Sequence, residues 1–199
     1  MKLYYIADTC ALAPHIAARE AGLDLEIVAV RRAEGGHVFG DGADYRTINP
    51  MSKVPALEIE GGVITETQAI LRYLAAQAPD RLPFPAEGLA HWKMVEAMNF
   101  ITTEIHSAFS PMWSPNIAEA HKAEILAKVG RAFSQLEAML GDKPYLGGEQ
   151  FSVVDAYAFV TTGWGGMFDM DFRAWPVLLA YRNRIAARPS TQQALREQS

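Results

Sequence analysis

The sequence predicts a small α/β domain followed by an all-helical one, and three observations carry that prediction. Up to about residue 80, short β-rich runs alternate with helical ones. The segment Pro79-Asp80-Arg81-Leu82-Pro83-Phe84-Pro85 then places three prolines in seven residues, the composition of a linker. Beyond it, every long stretch has helical composition. The expected division is a first domain at 1–79, a linker at 80–87 and a helical domain at 88–199.

The first half is built as follows. Lys2–Ala7 is apolar and β-rich and forms the first strand, with Asp8 and Thr9 as a tight link. From Pro14 the run PHIAAREAG is helical, with proline near the first turn and Gly22 at the stop. Leu25–Val30 is a second strand, and the glycine-rich stretch Glu34–Gly42 is expected to be a mobile connection. Val54–Ile59 is a third strand, the Gly61-Gly62 pair reverses it, and Val63-Ile64 start a fourth. Thr65–Ala78 is a helix whose apolar side holds Ala69, Ile70, Tyr73 and Leu74. An order of βαβ and then ββα gives a small mixed sheet covered by helices.

In the second half, Leu89–Phe109 reads as one helix. Met94, Met98, Ile101 and Ile105 fall on its core side. Glu96, Asn99, Thr103 and His106 form a narrow polar stripe flanked by Trp92, Val95 and Phe100. The stripe fits either a cleft wall or a solvated face. Ile125, Val129, Phe133, Leu136 and Leu140 make a second apolar stripe, with Asn116 and Glu119 as a capping pair before it. Ser152 and Asp155 resemble a capping box opening a helix from Val153 to about Thr162. Pro176 opens a last helix carrying Val177, Leu178, Tyr181 and Ile185, which stops before Pro189.

Composition narrows the function. Of 199 residues, 50% are hydrophobic and 21% charged, the balance of a soluble globular chain. A net charge of −5 without a dense Lys/Arg stripe argues against nucleic acid. No apolar run approaches the ~20 residues of a membrane span, and the opening MKLYYIAD lacks the apolar stretch of a signal peptide. A cytoplasmic protein without membrane partners is the expectation.

Cys10 is the one cysteine, so neither an intramolecular disulfide nor a multi-cysteine metal site can form, and no metal is expected. It stands where a strand becomes a helix. Backbone N–H groups and the helix dipole there favour thiolate over thiol, which suits a nucleophile or a thiol-binding site. The competing interpretation is a buried, inert cysteine. The run Cys10-Ala11-Leu12-Ala13 has no second thiol, so any redox chemistry needs a thiol from outside.

Five segments occur together in one order: Cys10 after the first strand, NPMSKVPAL (Asn49–Leu57), ITETQAI (Ile64–Ile70), NFITTEIH (Asn99–His106) and FSVVDAYAF (Phe151–Phe159). This pattern resembles the bacterial glutathione transferases of the beta class, the cysteine-containing kind, over nearly the whole chain. The resemblance implies a thioredoxin-like N-terminal domain, an all-α C-terminal domain, a cytoplasmic homodimer with a role in detoxification, and glutathione as co-substrate for conjugation to small hydrophobic electrophiles.

Residue by residue, the resemblance implies a cis Val54–Pro55 bond, with the Val54 backbone pairing to the cysteinyl part of glutathione. It implies that Thr67 and the helix start hold the γ-glutamyl carboxylate while Glu66 pairs with the ammonium. Cys10 and His106 match the pair at the glutathione sulfur, where His106 accepts the thiol proton or hydrogen-bonds the thiolate. Asn99 and Thr103 match positions near the site, the former reaching across the dimer. Relatives often carry a lysine in the loop after strand two. This chain has Arg31-Arg32-Ala33-Glu34-Gly35-Gly36-His37 there, which leaves Lys53, Arg32 or His37 to meet the glycine carboxylate. Tyr4 and Tyr5 read as packing residues. Phe109, Met112, Trp113 and Trp164 suit an apolar wall for the second substrate, or plain core packing. Two other functions stay open: a glutathione-dependent thiol–disulfide oxidoreductase using Cys10, and a non-catalytic ligand-binding protein of the same fold.

Overall fold

A computed structural model describes residues 1–198. They form two compact units, Met1–Phe84 together with the stretch from Arg188 onward, and Pro85–Ala187. The change from one unit to the other falls between Phe84 and Pro85, within the proline-rich segment. The chain beyond residue 187 belongs to the first unit, not to the helical one, because its helix packs on the first helix of the chain.

The first unit is a six-stranded mixed sheet of β1 (Lys2–Tyr5), β2 (Glu26–Ala33), β3 (Gly36–Phe39), β4 (Ala43–Asp44), β5 (Ala56–Ile59) and β6 (Gly62–Thr65), in the order β4-β3-β2-β1-β5-β6. β1 runs parallel to β2 and antiparallel to β5, with Leu3 opposite Ile27 and Leu57. The parallel pair needs a crossover, supplied by α1 (Leu12–Ala21). Gly22 ends α1 in a left-handed conformation (φ +68°), which glycine adopts without steric cost. α2 (Thr67–Gln77) follows β6. The glycine-rich stretch expected to be mobile is instead ordered as β3 and β4. Gly35 and Gly36 take positive φ at the reversal, so that Arg32 pairs with His37 and Val30 with Phe39. Phe39 packs edge-on against Tyr4 and Tyr45 over this part of the sheet; Tyr4 is buried among them as a packing residue, and its hydroxyl donates to Glu58 at 2.7 Å.

α8 (Pro189–Gln198) completes this unit against α1. His15 is fully buried, 2.6 Å from a Glu197 carboxylate oxygen through Nε2 and 3.0 Å from the Gln198 amide nitrogen through Nδ1. A neutral ring protonated on Nε2 satisfies both, donating to the carboxylate and accepting from the amide. Arg19 adds a 2.7 Å bond to the same carboxylate. Glu20 receives Arg188 and the Ser190 hydroxyl.

The second unit contains α3 (Gly88–Phe100), α4 (Ser107–Phe109), α5 (Glu119–Leu140), α6 (Val153–Met167) and α7 (Pro176–Ala186). Residues 101–106 join α3 to α4 as a π-helical turn, so the single regular helix expected at Leu89–Phe109 is wider in its second half. Met94, Met98, Ile101 and Ile105 are buried as their periodicity predicts, and so are Ile125, Val129, Phe133, Leu136 and Leu140 of α5. The Asn116–Glu119 capping pair does not form. Ala118 occupies the cap position, with no side-chain bond.

α6 opens on the expected capping box. Asp155 is fully buried and accepts from the Ser152 N–H (2.8 Å) and Ser152 hydroxyl (2.7 Å), the Leu146 N–H (2.8 Å) and the Tyr181 hydroxyl of α7 (2.8 Å). Burial pushes its carboxyl up, and these donors pull against that push. Removing the carboxylate strands buried donors on three segments. Asp155→Ala is expected to cost about 3–5 kcal/mol in urea denaturation, with Asp155→Asn milder; a loss below about 1 kcal/mol would refute the role.

A pH prediction follows from the α1–α8 contact. Burial pushes the Glu197 carboxyl up, but Gln193, Arg19 and His15 outweigh it and take the group down to about 2 from an ordinary 4.5. Burial pushes His15 below its ordinary 6.5. Both folded values lie below the unfolded ones, so the unfolded chain binds protons first as pH falls. The Glu197 contribution is complete above 4.5 and drains away toward about 2. Glu197→Gln is expected to destabilise by about 1–3 kcal/mol at neutral pH. Calorimetry should show that gap closing as pH is lowered through this window, and a gap independent of pH would be the opposite result.

Candidate functional site

In the first unit, the site residues gather where β1, the loop before β5 and the start of α2 meet. Cys10 lies in the turn before α1 and is 7% exposed. Its Sγ donates to the Val54 carbonyl at 3.6 Å. The expectation of a thiolate-favouring helix start is not met. Burial pushes the Cys10 thiol up, the Thr67 hydroxyl and the local backbone N–H pull it back only in part, and Glu66 adds to the rise. The nearby donors are committed elsewhere: Leu12 N–H to the Thr9 carbonyl, Ala13 N–H to the Cys10 carbonyl, and Ala11 N–H to the Thr9 hydroxyl. Cys10 is thus a buried thiol that donates to the Val54 carbonyl.

Val54–Pro55 is cis, as the resemblance implies. The loop leading to it is held through one carbonyl. The Asn49 amide (2.7 Å) and the Tyr45 hydroxyl (3.1 Å) both donate to the Lys53 oxygen, and the Met51 N–H returns to Asn49 at 3.0 Å. Ser52 takes a left-handed φ of +54° and lies 3.0 Å from the His37 ring through its hydroxyl. His37 is therefore tied to this loop, while the Lys53 side chain is exposed. Glu66 caps α2 with φ +69°, an uncommon conformation for a non-glycine residue. The Glu66 side chain makes no cap bond there, and Thr67, the first residue of the helix, is buried.

In the second unit, Asn99, Thr103 and His106 lie along α3 and its π-helical continuation. Asn99 and Thr103 are exposed and His106 is half-buried, and the Thr103 hydroxyl donates to the Asn99 carbonyl at 3.1 Å. Glu96, the fourth member of the stripe, pairs with Lys93 at 2.6 Å. His106 Nδ1 is 2.6 Å from the Tyr157 hydroxyl, and its ring meets the Trp164 ring edge-on at 5.0 Å. Trp164 in turn contacts Phe109 and Trp113, and Phe168 stacks on Phe109. Of the residues read as an apolar wall or as core packing, Phe109, Trp113 and Trp164 are in contact and Met112 is buried, and the sequence does not single out Tyr157 or Phe168 beside them. The FSVVDAYAF segment contained Tyr157, yet nothing in its spacing marks one aromatic residue of a buried helix as a partner of another helix.

Among the described residues, no three metal-binding side chains come together, and no helix is long and apolar enough to cross a membrane.

Comparison with known proteins agrees with this arrangement. Residues 1–76 match the glutathione S-transferase N-terminal domain and residues 100–189 the C-terminal domain. The chain is 34% identical to glutathione S-transferase GstA of Escherichia coli O157:H7, over 98% of this chain and 97% of that one. The beta class glutathione S-transferase of Sphingomonas chungbukensis superimposes with a TM-score of 0.92 at 38% identity, covering 100% of this chain and 99% of that one. A sphingomonad glutathione S-transferase solved in complex with glutathione gives 0.92 at 36% identity, covering 100% and 98%. With both domain families present in order and whole-length relatives well above 30% identity, the chain belongs to the glutathione S-transferase family, and its structural neighbours include the bacterial beta class.

Proposed function

We propose that this glutathione transferase conjugates reduced glutathione to small hydrophobic electrophiles, with the tripeptide held by the N-terminal unit. The observation that carries the reading is the grouping of Cys10, the Val54 backbone, Glu66 and Thr67 around one buried thiol. The tripeptide's cysteinyl backbone pairs with Val54, as an added strand would. The uncapped start of α2 and Thr67 take its γ-glutamyl carboxylate, and Glu66 takes the ammonium. Lys53, in the loop before Pro55, and His37, bonded to Ser52 of that loop, are the candidates to meet the glycine carboxylate. For the second unit the reading rests on the family resemblance alone, which assigns His106 to the glutathione sulfur and matches Asn99 and Thr103 to positions near the site. The aromatic residues around Trp164 supply an apolar wall for the electrophile. A protonated Cys10 suits a hydrogen bond to the glutathione thiolate, which lowers the cost of forming that anion.

A second function, thiol transfer through a mixed disulfide at Cys10, is supported by the same sulfur. The two separate on mutation. Cys10→Ala is expected to abolish thiol transfer and glutathionylation, and to lower conjugation to a chlorinated aromatic acceptor by about one to two decades, the worth of one hydrogen bond to a charged group. Conjugation unchanged in Cys10→Ala but lost in Tyr5→Phe would move the thiolate-stabilising role to β1. Loss of both activities with glutathione still bound would favour a ligand-binding protein.

We also propose a homodimer built on α3 and α2, supported by the outward exposure of Leu89 (75%) and Trp92 (64%) on α3. Sedimentation at micromolar concentration should give twice the 21.9 kDa chain mass. A species of one chain mass would refute it.

A further inference from the structure

We propose that His15 is a positioning residue for the Cys10 thiol: α8 fixes α1 through this histidine, and α1 sets where Cys10 stands beside Val54. The inference rests on the reading above, in which Cys10 bonds the glutathione sulfur.

Cys10 rides on the first turn of α1. The Leu12 N–H donates to the Thr9 carbonyl at 3.2 Å and the Ala13 N–H to the Cys10 carbonyl at 3.1 Å, so the cysteine backbone moves with the helix. Its Sγ reaches the Val54 carbonyl at 3.6 Å, a long contact that a small displacement of α1 would break or tighten. The setting of the thiol is therefore the setting of α1.

Apolar packing does little to fix that setting. The buried run Ala11–Ala18 has Leu12 and Ile16 as its only large aliphatic side chains, and four of the ten residues of α1 are alanine. Helices lock against their neighbours by fitting side-chain ridges into grooves, and alanine raises a low ridge. A helix so lined slides along its axis or turns about it at small cost in contact. Directional polar bonds then decide, and α1 makes them with α8. His15, the one polar side chain of the buried run, is 0% exposed and meets Glu197 Oε2 at 2.6 Å. One turn further on, Arg19 donates to the same oxygen at 2.7 Å, and to the Leu25 carbonyl just before β2 at 3.2 Å. Two donors one turn apart on a single oxygen fix both axial position and rotation, because sliding or turning α1 lengthens one of them. Of the two, His15 stands nearer Cys10 and is closed off from water, so no solvent molecule replaces its bond.

The test is a double-mutant cycle with Cys10, read as kcat for conjugation of glutathione to a chlorinated aromatic acceptor. His15→Phe keeps a ring at this position and leaves Glu197 its bonds to Arg19 and Gln193. It should lower kcat about fivefold, a part of the one to two decades expected of Cys10→Ala. In a Cys10→Ala background the same change should lower kcat by less than about 1.5-fold, since residues that act through one group are not additive. A loosened fold would slow both backgrounds alike, so equal losses overturn the proposal. Glu197→Gln, made from the α8 side, should show the same pattern at about threefold, and it carries the test if His15→Phe does not fold. Alkylation by iodoacetamide reads the thiol without turnover. Its rate in the unliganded protein should change by about threefold or more in either variant, and an unchanged rate overturns the proposal. A Cys10→Ala enzyme with the wild-type kcat overturns the reading of Cys10 itself, and the catalytic role of His15 falls with it.

Discussion

Asp155 decides where the working residues of the helical unit stand. Its carboxylate accepts from the loop at Leu146, from the start of α6 at Ser152 and from Tyr181 on α7, so three segments share one acceptor in the core. Two residues further along α6 comes Tyr157, and within two more turns Trp164, the two side chains that hold the His106 ring from different directions. The axial position of α6 is therefore transmitted to the histidine without any loop intervening. A shift of α6 by a fraction of a turn would move both contacts together, because they ride on one rigid element.

The N-terminal unit uses a different device. Its binding loop between Tyr45 and Ala56 is organised by two donors on the Lys53 carbonyl and by a hydroxyl–imidazole contact from Ser52 to His37. These are neutral hydrogen bonds, largely between side chain and backbone. Beside this loop the Val54 carbonyl accepts from Cys10, and Glu66 at the start of α2 makes no side-chain cap bond. Burial pushes the Cys10 thiol up, and the donors that pull it back, the Thr67 hydroxyl and the local backbone N–H, are neutral groups as well.

Much of this was legible in the sequence where a local rule determines the outcome. The stripe from Ile125 to Leu140, the Ser152–Asp155 box and the Gly22 stop each depend on spacing within a few residues, and each formed as read. The failures share a cause: they are settled by partners far along the chain. Glu34–Gly42 looked mobile by composition but gains pairing from β2. α8 is mostly polar in composition and is fixed by His15 and Glu20 of α1, far back along the chain. The π-helical turn breaks the 3.6-residue period that the polar stripe from Glu96 to His106 assumed. At Cys10 the local argument, a helix start, was correct as geometry and was outweighed by burial, which no window of sequence reports. The candidate site was legible chiefly as family motifs, and its supporting side chains, Tyr45 and Tyr157, were not.

The return of α8 to the first unit sets an order of assembly during synthesis. The second unit is continuous in the chain and has all its parts once Ala187 has been made. The first unit begins earlier yet waits longer, because the α1 surface around His15 has no cover until residues 189–198 leave the ribosome. Throughout the translation of some hundred intervening residues, His15, Arg19 and Glu20 of α1 are without the carboxylate, hydroxyl and guanidinium partners that residues 188–198 bring.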